Sequence, residues 1–154
     1  MGVFLLGAKV SDFIGRYLNK VDKKGRVSVP AAWRPKLTSN DFSGIITQPS
    51  LSEQALDAYP RGYLDLLQNK LDLNDPLLED NEYESTVIFG GSILSFDNEG
   101  RVVLSETFRS EMKIMSEALF VGMGRRFRIW NPIIFGDYLE RAKLYMDKRR
   151  KIKY

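Results

Sequence analysis

The stretch DKKGRVSVP, residues 22–30, is repeated with changes 75 positions later as DNEGRVVLS, residues 97–105. Both copies follow the pattern Asp-x-x-Gly-Arg-Val, and the shared positions are Asp22 and Asp97, Gly25 and Gly100, and Arg26 and Arg101. An Asp accepts hydrogen bonds from backbone amides two residues further on, and Gly adopts a positive φ without a steric penalty. Each copy therefore predicts a tight turn, and the apolar segments on either side of it predict a β-hairpin.

The strands that leave the two turns alternate between apolar and polar side chains. Alternation places Val27 and Val29 on one face of the first strand and Arg26 on the other. In the second copy it separates Arg101 from Val102 in the same way. Turn chemistry requires the Asp and the Gly but not the Arg. The repeated Arg is therefore the first candidate for a functional residue.

The repeat extends beyond the turns. Each predicted hairpin is followed by a short helical segment, which Pro35 limits in the first copy and which Ser105 caps in the second. The offset of 75 also aligns further positions, namely Trp33 with Phe108, Arg34 with Arg109, and Ile45 with Phe120. The sequence thus predicts an α+β fold in which a hairpin and short-helix unit of about 40 residues occurs twice, related by a pseudo-two-fold axis.

The remaining segments predict helices and one further strand pair. Residues 61–86 are acidic and have leucines at helical spacing, and residues 118–130 predict two strands around a Gly-x-Gly turn. Asn131 and Pro132 begin a last helix, which ends in a basic run. We expect Trp33 and Trp130 to belong to the core. The predicted segments are an N-terminal extension at 1–12, a first repeat at 13–60, a helical connector at 61–86, a second repeat at 87–132 and a basic helix at 133–154.

Composition removes several classes of chemistry. The chain has 154 residues, 44% of them hydrophobic and 28% charged, which is typical of a soluble globular protein. It contains no cysteine and no histidine, which excludes disulfides, Cys/His zinc sites and Ser-His or Cys-His nucleophiles. We expect no cofactor, no metal and no small-molecule ligand. No apolar run approaches the roughly 18 residues of a membrane helix, so a cytoplasmic location is expected.

Charge is distributed unevenly although the net charge is only +3. Residues 1–50 carry eight basic against three acidic side chains, residues 51–99 two against eleven, and residues 125–154 ten against three. Such a chain can present a basic face to a polyanion. It can also associate with copies of itself, acidic face to basic face. Both interpretations remain open.

Three functions are compatible with these observations. The first is a DNA-binding regulator, because Arg binds phosphates and guanine edges and a two-stranded ribbon fits the major groove. Its candidate contacts are Lys20, Lys23, Lys24, Arg26 and Arg101. The second is a self-assembling scaffold with only non-specific DNA affinity. The third, an enzyme that uses Asp22 and Asp97 as a carboxylate pair, is weakest because turn geometry already explains both residues.

The sequence resembles the MraZ family of bacterial transcriptional regulators over roughly residues 13–145. The resemblance rests on the turns VDKKGRVSVP and FDNEGRVVLS, on Arg34 and Arg109 eight residues after each turn Arg, and on the closing segment FVGMGRRFRIW. Two features depart from the usual family pattern. Arg128 replaces an acidic residue before the closing Ile-Trp, and the second turn carries Asn98 and Glu99 in place of a lysine pair.

The resemblance implies an AbrB-like fold, of the double-split β-α-β type, in which the two halves interlock. It also implies a ring-shaped oligomer that binds short direct repeats in the promoter of its own division and cell-wall operon, usually as a repressor. In that setting Arg26 and Arg101 are the implied DNA contacts, and the protein is associated with the nucleoid.

Overall fold

The computed structural model describes residues 12–73 and 78–153. The described strands are β1 (Arg16–Lys20), β2 (Arg26–Ser28), β3 (Gly44–Pro49), β4 (Leu56–Tyr59), β5 (Ser92–Ser95), β6 (Arg101–Val103), β7 (Glu117–Gly122) and β8 (Phe127–Trp130). The described helices are a 3-10 helix at Arg34–Leu37, α1 (Tyr63–Asp72), α2 (Glu79–Phe89), α3 (Glu106–Met112) and α4 (Pro132–Lys153). The predicted N-terminal extension falls mainly on residues 1–11, which lie outside the described residues.

The strands form two sheets that confirm the duplicated α+β architecture. Six strands make one antiparallel sheet in the order β1-β7-β8-β4-β3-β5, and β2 pairs with β6 in a separate two-stranded ribbon. The six-strand order reads the same from either edge once each strand is exchanged for its counterpart in the other repeat. A pseudo-two-fold axis therefore passes between β4 and β8 and between β2 and β6. The repeats are interlocked, because the first strand of each pairs with the third strand of the other.

The offset between equivalent residues decreases along the repeat. It is 75 at the turns, but Gly44 faces Ser95 as Glu117 faces Lys20, which makes Gly44 equivalent to Glu117 at an offset of 73. Similarly, Ile46 faces Tyr59 as Leu119 faces Trp130, so β4 and β8 are related by an offset of 71. The predicted alignment of Ile45 with Phe120 is therefore wrong by two residues. Both are nevertheless buried, because a shift of two keeps a strand residue on the same face.

The predicted hairpins are turns whose arms separate. Beyond the first turn the two arms share one isolated bridge, Val21 to Val27, after which β1 pairs with β7 and β2 with β6. Local turn chemistry shapes the turn, but it does not determine which strand completes the ladder. The incoming strand of the second repeat, β5, begins only at Ser92, because residues 87–89 end helix α2.

One core lies between the ribbon, the short helices and the large sheet. It contains side chains of both repeats, among them Val27, Trp33, Val102, Phe120 and Phe127, each at most 2% exposed. Trp33 contacts the rings of Phe120 and Phe127, and Trp130 contacts Phe135 of α4 in a second cluster on the opposite face of the sheet. Both tryptophans are core residues, as expected. A shared core makes the two repeats one folding unit.

The helices that begin with polar caps do so as the sequence predicts. The Ser105 side chain accepts a hydrogen bond from the Phe108 amide, and Asn131 Oδ1 accepts from the amides of Ile133 and Ile134. α4 packs on the sheet only through its first half, because Tyr145 and Ile152 are exposed. The five-segment division of the chain stays a prediction.

Candidate nucleic-acid interface

The first turn is built around the side chain of Asp22. Its Oδ1 accepts hydrogen bonds from the amides of Lys24 and Arg26, at 3.0 and 2.9 Å. The amide of Gly25 donates to the carbonyl of Asp22, and Gly25 has a φ of +84°. The turn therefore uses Asp22 as an acceptor and Gly25 as a left-handed residue.

The turn Arg is part of the turn, which corrects the expectation that only Asp and Gly are structural. Arg26 Nε donates to Asp22 Oδ2 at 2.6 Å, so one carboxylate organises both the backbone and the guanidinium. The hydrogen bond from the Arg26 amide, aided by the one from the Arg26 side chain, holds the pKa of Asp22 below its usual value. The bond occupies Nε and leaves both Nη groups of Arg26 without a hydrogen-bond partner among the described residues.

The second turn has the same geometry. Asp97 Oδ1 accepts from the amides of Glu99 and Arg101, Arg101 Nε donates to Asp97 Oδ2 at 2.8 Å, and Gly100 has a φ of +75°. The hydrogen bond from the Arg101 amide holds the pKa of Asp97 below its usual value. Arg101 differs from Arg26 in having a second carboxylate, Glu99, 3.4 Å from its Nη2. The second arginine is therefore more fully neutralised than the first.

The ribbon brings the two turn arginines to the same face. In the β2–β6 ladder Ser28 lies opposite Arg101, and Arg26 lies opposite Val103. Side chains that are directly opposite share a face, so both arginines lie on one face and buried Val27 and Val102 lie on the other. Arg26 and Arg101 occupy a diagonal of the ladder, a separation of about 7–8 Å. The charge of Asp22 also helps to raise the pKa of Arg101, after its hydrogen bond to Asp97, as expected for neighbouring turns.

The predicted lysines are not all placed together. Lys23 and Lys24 are exposed at the tip of the first turn. Lys20 lies at the end of β1, opposite Glu117, and alternation puts it on the same face as Arg16. The guanidinium of Arg16 lies 5.0 Å from the ring of Phe135 in α4, so this face of β1 is the one that α4 covers. Lys20 is therefore separated from the ribbon face and is a weaker candidate than its closeness in sequence suggests.

The carboxylates of the turns are already engaged, which argues against the enzymatic interpretation. Asp22 and Asp97 each accept two backbone amides and one guanidinium, and the pKa of each is lowered. A general acid at neutral pH needs a raised pKa, and a nucleophile needs an accessible oxygen. The lowered pKa values do not meet the first condition, and each carboxylate oxygen already accepts a hydrogen bond. Among the residues that the structure describes, no group of three or more acidic side chains could hold a metal ion.

Two groups of residues near the axis were not assigned roles from the sequence. Asp57 of β4 and Arg128 of β8 form a buried ion pair, with Arg128 Nε donating to Asp57 Oδ1 at 2.7 Å. They face each other in the ladder and are equivalent in the two repeats. Identical residues there would place like charges together, so a duplicated chain benefits from divergence at this position. The pair gives Arg128 a structural role in this chain.

The second group is Arg34 and Arg109, each of which lies against the turn of the other repeat. Arg34 Nη1 donates to the carbonyl of Glu99 at 3.0 Å. A Cβ on Gly25 would come within 2.9 Å of Arg109 Nε. Their recurrence eight residues after each turn Arg was visible in the sequence, but the cross-repeat contact depends on the interlocked topology.

The basic end of α4 is a separate surface. Lys148, Arg149, Arg150 and Lys151 are exposed, and Arg150 pairs with Asp147 in the same helix. Within the described parts of the chain, no helix is long and apolar enough to cross a membrane.

Interlocked repeats, a two-stranded ribbon on the axis and an arginine-bearing turn at each end of it define an α+β protein of the AbrB-like class. A family model described as "MraZ protein, putative antitoxin-like" matches residues 88–152. Curated relatives match nearly the whole chain, and the chain belongs to the MraZ family.

Three relatives illustrate the match, and each is named "Transcriptional regulator MraZ". The protein of Rickettsia canadensis is 40% identical over 139 residues, which are 89% of this chain and 93% of the relative. That of Pelagibacter ubique is 39% identical over 146 residues, 88% and 94% of the two chains. That of Methylocella silvestris is 39% identical over 142 residues, 91% and 87%. The family is accordingly one of regulators and not of enzymes.

Proposed function

We propose that this chain is a sequence-specific DNA-binding transcriptional regulator that reads DNA with the β2–β6 ribbon and the two turns beside it. The observation that carries the proposal is the presence of Arg26 and Arg101 on one exposed face of that ribbon. The relatives named as transcriptional regulators support the same conclusion.

The dimensions of the ribbon suit the major groove. That groove is about 12 Å wide and admits a two-stranded β-ribbon. Each turn Asp fixes Nε of its Arg. The Nη groups of Arg26 are then available for a guanine O6 and N7 or for a phosphate, whereas Nη2 of Arg101 lies 3.4 Å from Glu99. Lys23 and Lys24, which precede Arg26 at the exposed tip of the first turn, then supply phosphate contacts. The first turn is the stronger contact, because Glu99 competes for Arg101 in the second.

We further propose that the protein acts in the cytoplasm, at the nucleoid, as a ring-shaped homo-oligomer on direct repeats in the promoter of its own division and cell-wall operon, as a repressor. The uneven charge supports assembly, with an acidic segment at 51–99 and a basic one at 125–154. Tandem contacts convert weak single sites into tight binding, so affinity should depend on repeat spacing. Sedimentation of the full chain, alone and with one or several repeats, tests this part.

The main experiment is a binding titration of Arg26→Ala against DNA from upstream of the gene, with scrambled DNA as control, at two salt concentrations. Loss of one bidentate base contact should weaken promoter binding by about 5- to 150-fold and leave scrambled binding less affected. Because Arg26→Ala also breaks the bond to Asp22, the matched control is Asp22→Asn, which weakens that bond and retains the Arg. Unchanged promoter binding by folded Arg26→Ala would refute the role of Arg26.

The alternative function, a self-assembling scaffold with non-specific DNA affinity, gives a different result in the same titration. It predicts equal affinity for promoter and scrambled DNA and the same salt dependence for both. A clear preference for the promoter would exclude it.

A further inference from the structure

Arg34 contacts the second turn although it belongs to the first repeat. Its Nη1 donates to the carbonyl of Glu99, 65 residues away, at 3.0 Å. A Cβ built on Gly100 would collide with this guanidinium and come within 2.8 Å of its Cζ. The side chain therefore occupies the space that the absent Cβ of Gly100 leaves, and it holds the peptide that precedes Gly100.

Arg109 packs against the first turn but donates its hydrogen bond to a carbonyl of its own repeat. Its Nε donates to the carbonyl of Leu104 at 3.0 Å, and its Cζ lies 3.1 Å from where a Cβ of Gly25 would be. The amide of Leu104 in turn donates to the carbonyl of Gly25 at 2.8 Å. Arg109 thus lies over the first turn and binds the residue that anchors it.

The backbone shows the same crossing. The amide of Val29 donates to the carbonyl of Gly100 at 3.2 Å, which matches the bond from Leu104 to Gly25. The second turn is therefore bonded to the first repeat on both sides of Gly100, and the first turn is bonded to the second repeat at the carbonyl of Gly25, beside which Arg109 packs. The residues directly after the glycines are Arg26 and Arg101, so the crossed contacts lie beside the two guanidinium groups proposed to read DNA.

We infer that Arg34 and Arg109 are positioning residues, each of which holds the turn of the other repeat and so sets the direction of Arg101 and Arg26, respectively. The consequence for DNA rests on the proposed function. Bidentate contacts require the donor group to be held within about 0.5 Å and 10–20°, and turns at the edge of a small ribbon need outside support to achieve this. Glycine serves both the left-handed backbone and the approach of the arginine.

Lysine substitutions test this inference, because they keep the charge and remove the planar guanidinium. Arg109→Lys should weaken promoter binding about tenfold, as expected for one lost charged hydrogen bond. The effect should nearly vanish in an Arg26→Ala background and persist in an Arg101→Ala background. Arg34→Lys should show the reverse pattern. Such crossed non-additivity is the signature of positioning, since general destabilisation lowers affinity in both backgrounds alike.

Equal losses in both backgrounds, or no loss in either, would overturn the inference. Amide hydrogen exchange of the DNA-free protein provides a readout that does not depend on the proposed function. Arg109→Lys should accelerate exchange of the Gly25 amide and leave that of Gly100 unchanged, and Arg34→Lys should do the opposite. If Arg26→Ala and Arg101→Ala both bind promoter like the unmodified protein, the proposed function fails, and exchange alone decides the positioning roles. Uniform acceleration at both glycines, or none, would refute them.

Discussion

The turn at 22–26 and the turn at 97–101 have the same hydrogen bonds but different charge at their tips. Both use Asp Oδ1 for two amides, Oδ2 for the Arg Nε, and a glycine at positive φ. The first tip carries Lys23 and Lys24, whereas the second carries Asn98 and Glu99. The residues that form the turn are therefore the same in both copies, and the exposed residues at the tip differ. Recurrence of a residue in both turns is therefore explained first by its structural role, and a functional role needs separate evidence.

At the centre of the sheet, by contrast, equivalent buried residues of the two repeats differ. There the equivalent positions face each other, and they hold Asp57 and Arg128, which are buried and paired. Identical residues suit the turns, where each Asp bonds the Arg of its own turn. Identical charged residues would repel each other on the axis, where each residue contacts its own equivalent. The difference between Asp57 and Arg128 thus follows from their facing each other across the pseudo-two-fold axis.

The largest expected effect comes from breaking the pair on the axis. Asp57→Ala should destabilise the protein by about 3–5 kcal/mol, because it leaves a buried guanidinium without its carboxylate. Urea unfolding followed by tryptophan fluorescence measures this. The exchanged variant, Asp57→Arg with Arg128→Asp, should recover part of the loss, and Glu53→Ala, which removes an ion pair to exposed Arg141, should change stability little. An equal loss in the single and exchanged variants would contradict the role of the pair.

The next largest effect distinguishes the two glycines. Gly25→Ala should cost about 3 kcal/mol and Gly100→Ala about 1–2 kcal/mol. Both have positive φ, but a Cβ at Gly25 meets the backbone carbonyl of Leu104, whereas at Gly100 it meets the flexible end of Arg34. The same unfolding measurement compares them. Equal costs would indicate that backbone strain alone determines both values.

Much of this arrangement follows from local sequence. The geometry of each turn, the burial of Val27 and Val102, and the caps at Ser105 and Asn131 all depend on neighbours within a few residues. Strand pairing does not follow from local sequence, because a turn of this chemistry is compatible with any pairing partner for the two strands that flank it. The pairing of β1 with β7 and of β5 with β3, each across the two repeats, is therefore seen only in the three-dimensional structure.

The candidate site shows the same limit. The repeated arginines could be picked from the sequence, but their bonds to Asp22 and Asp97 depend on rotamers that no spacing determines. Lys20 is only six positions from Arg26 in the sequence, but strand alternation places it on another face. Arg34 and Arg109 could be seen to recur, but their contacts cross between repeats, which requires the interlocked topology.

Exchanging the tips should have a moderate effect on DNA binding. Lys23→Asn with Lys24→Glu should lower promoter affinity about tenfold and reduce the salt slope by about 1–2, since each phosphate contact contributes about one unit. Asn98→Lys with Glu99→Lys should raise both quantities, because it adds two cations and frees Arg101 from Glu99. Titrations at several salt concentrations measure the slopes. If the second exchange changes nothing, the second turn does not face DNA.

The smallest expected effect is a dependence of stability on acid pH that both turns share. The pKa of Asp22 and that of Asp97 are lowered in the fold from the ordinary value of 3.8, chiefly by the backbone amides of Arg26 and Arg101. Each carboxylate therefore contributes stability that is fully present above pH 3.8 and is lost as pH falls through the lowered pKa. Asp22→Asn and Asp97→Asn should each be less stable than the unmodified chain near neutral pH, by similar amounts. Urea unfolding at a series of pH values should show that the difference in unfolding free energy between each variant and the unmodified chain narrows below pH 3.8. A difference that stays constant with pH would mean that the amide groups bind the neutral side chain as well as the charged one.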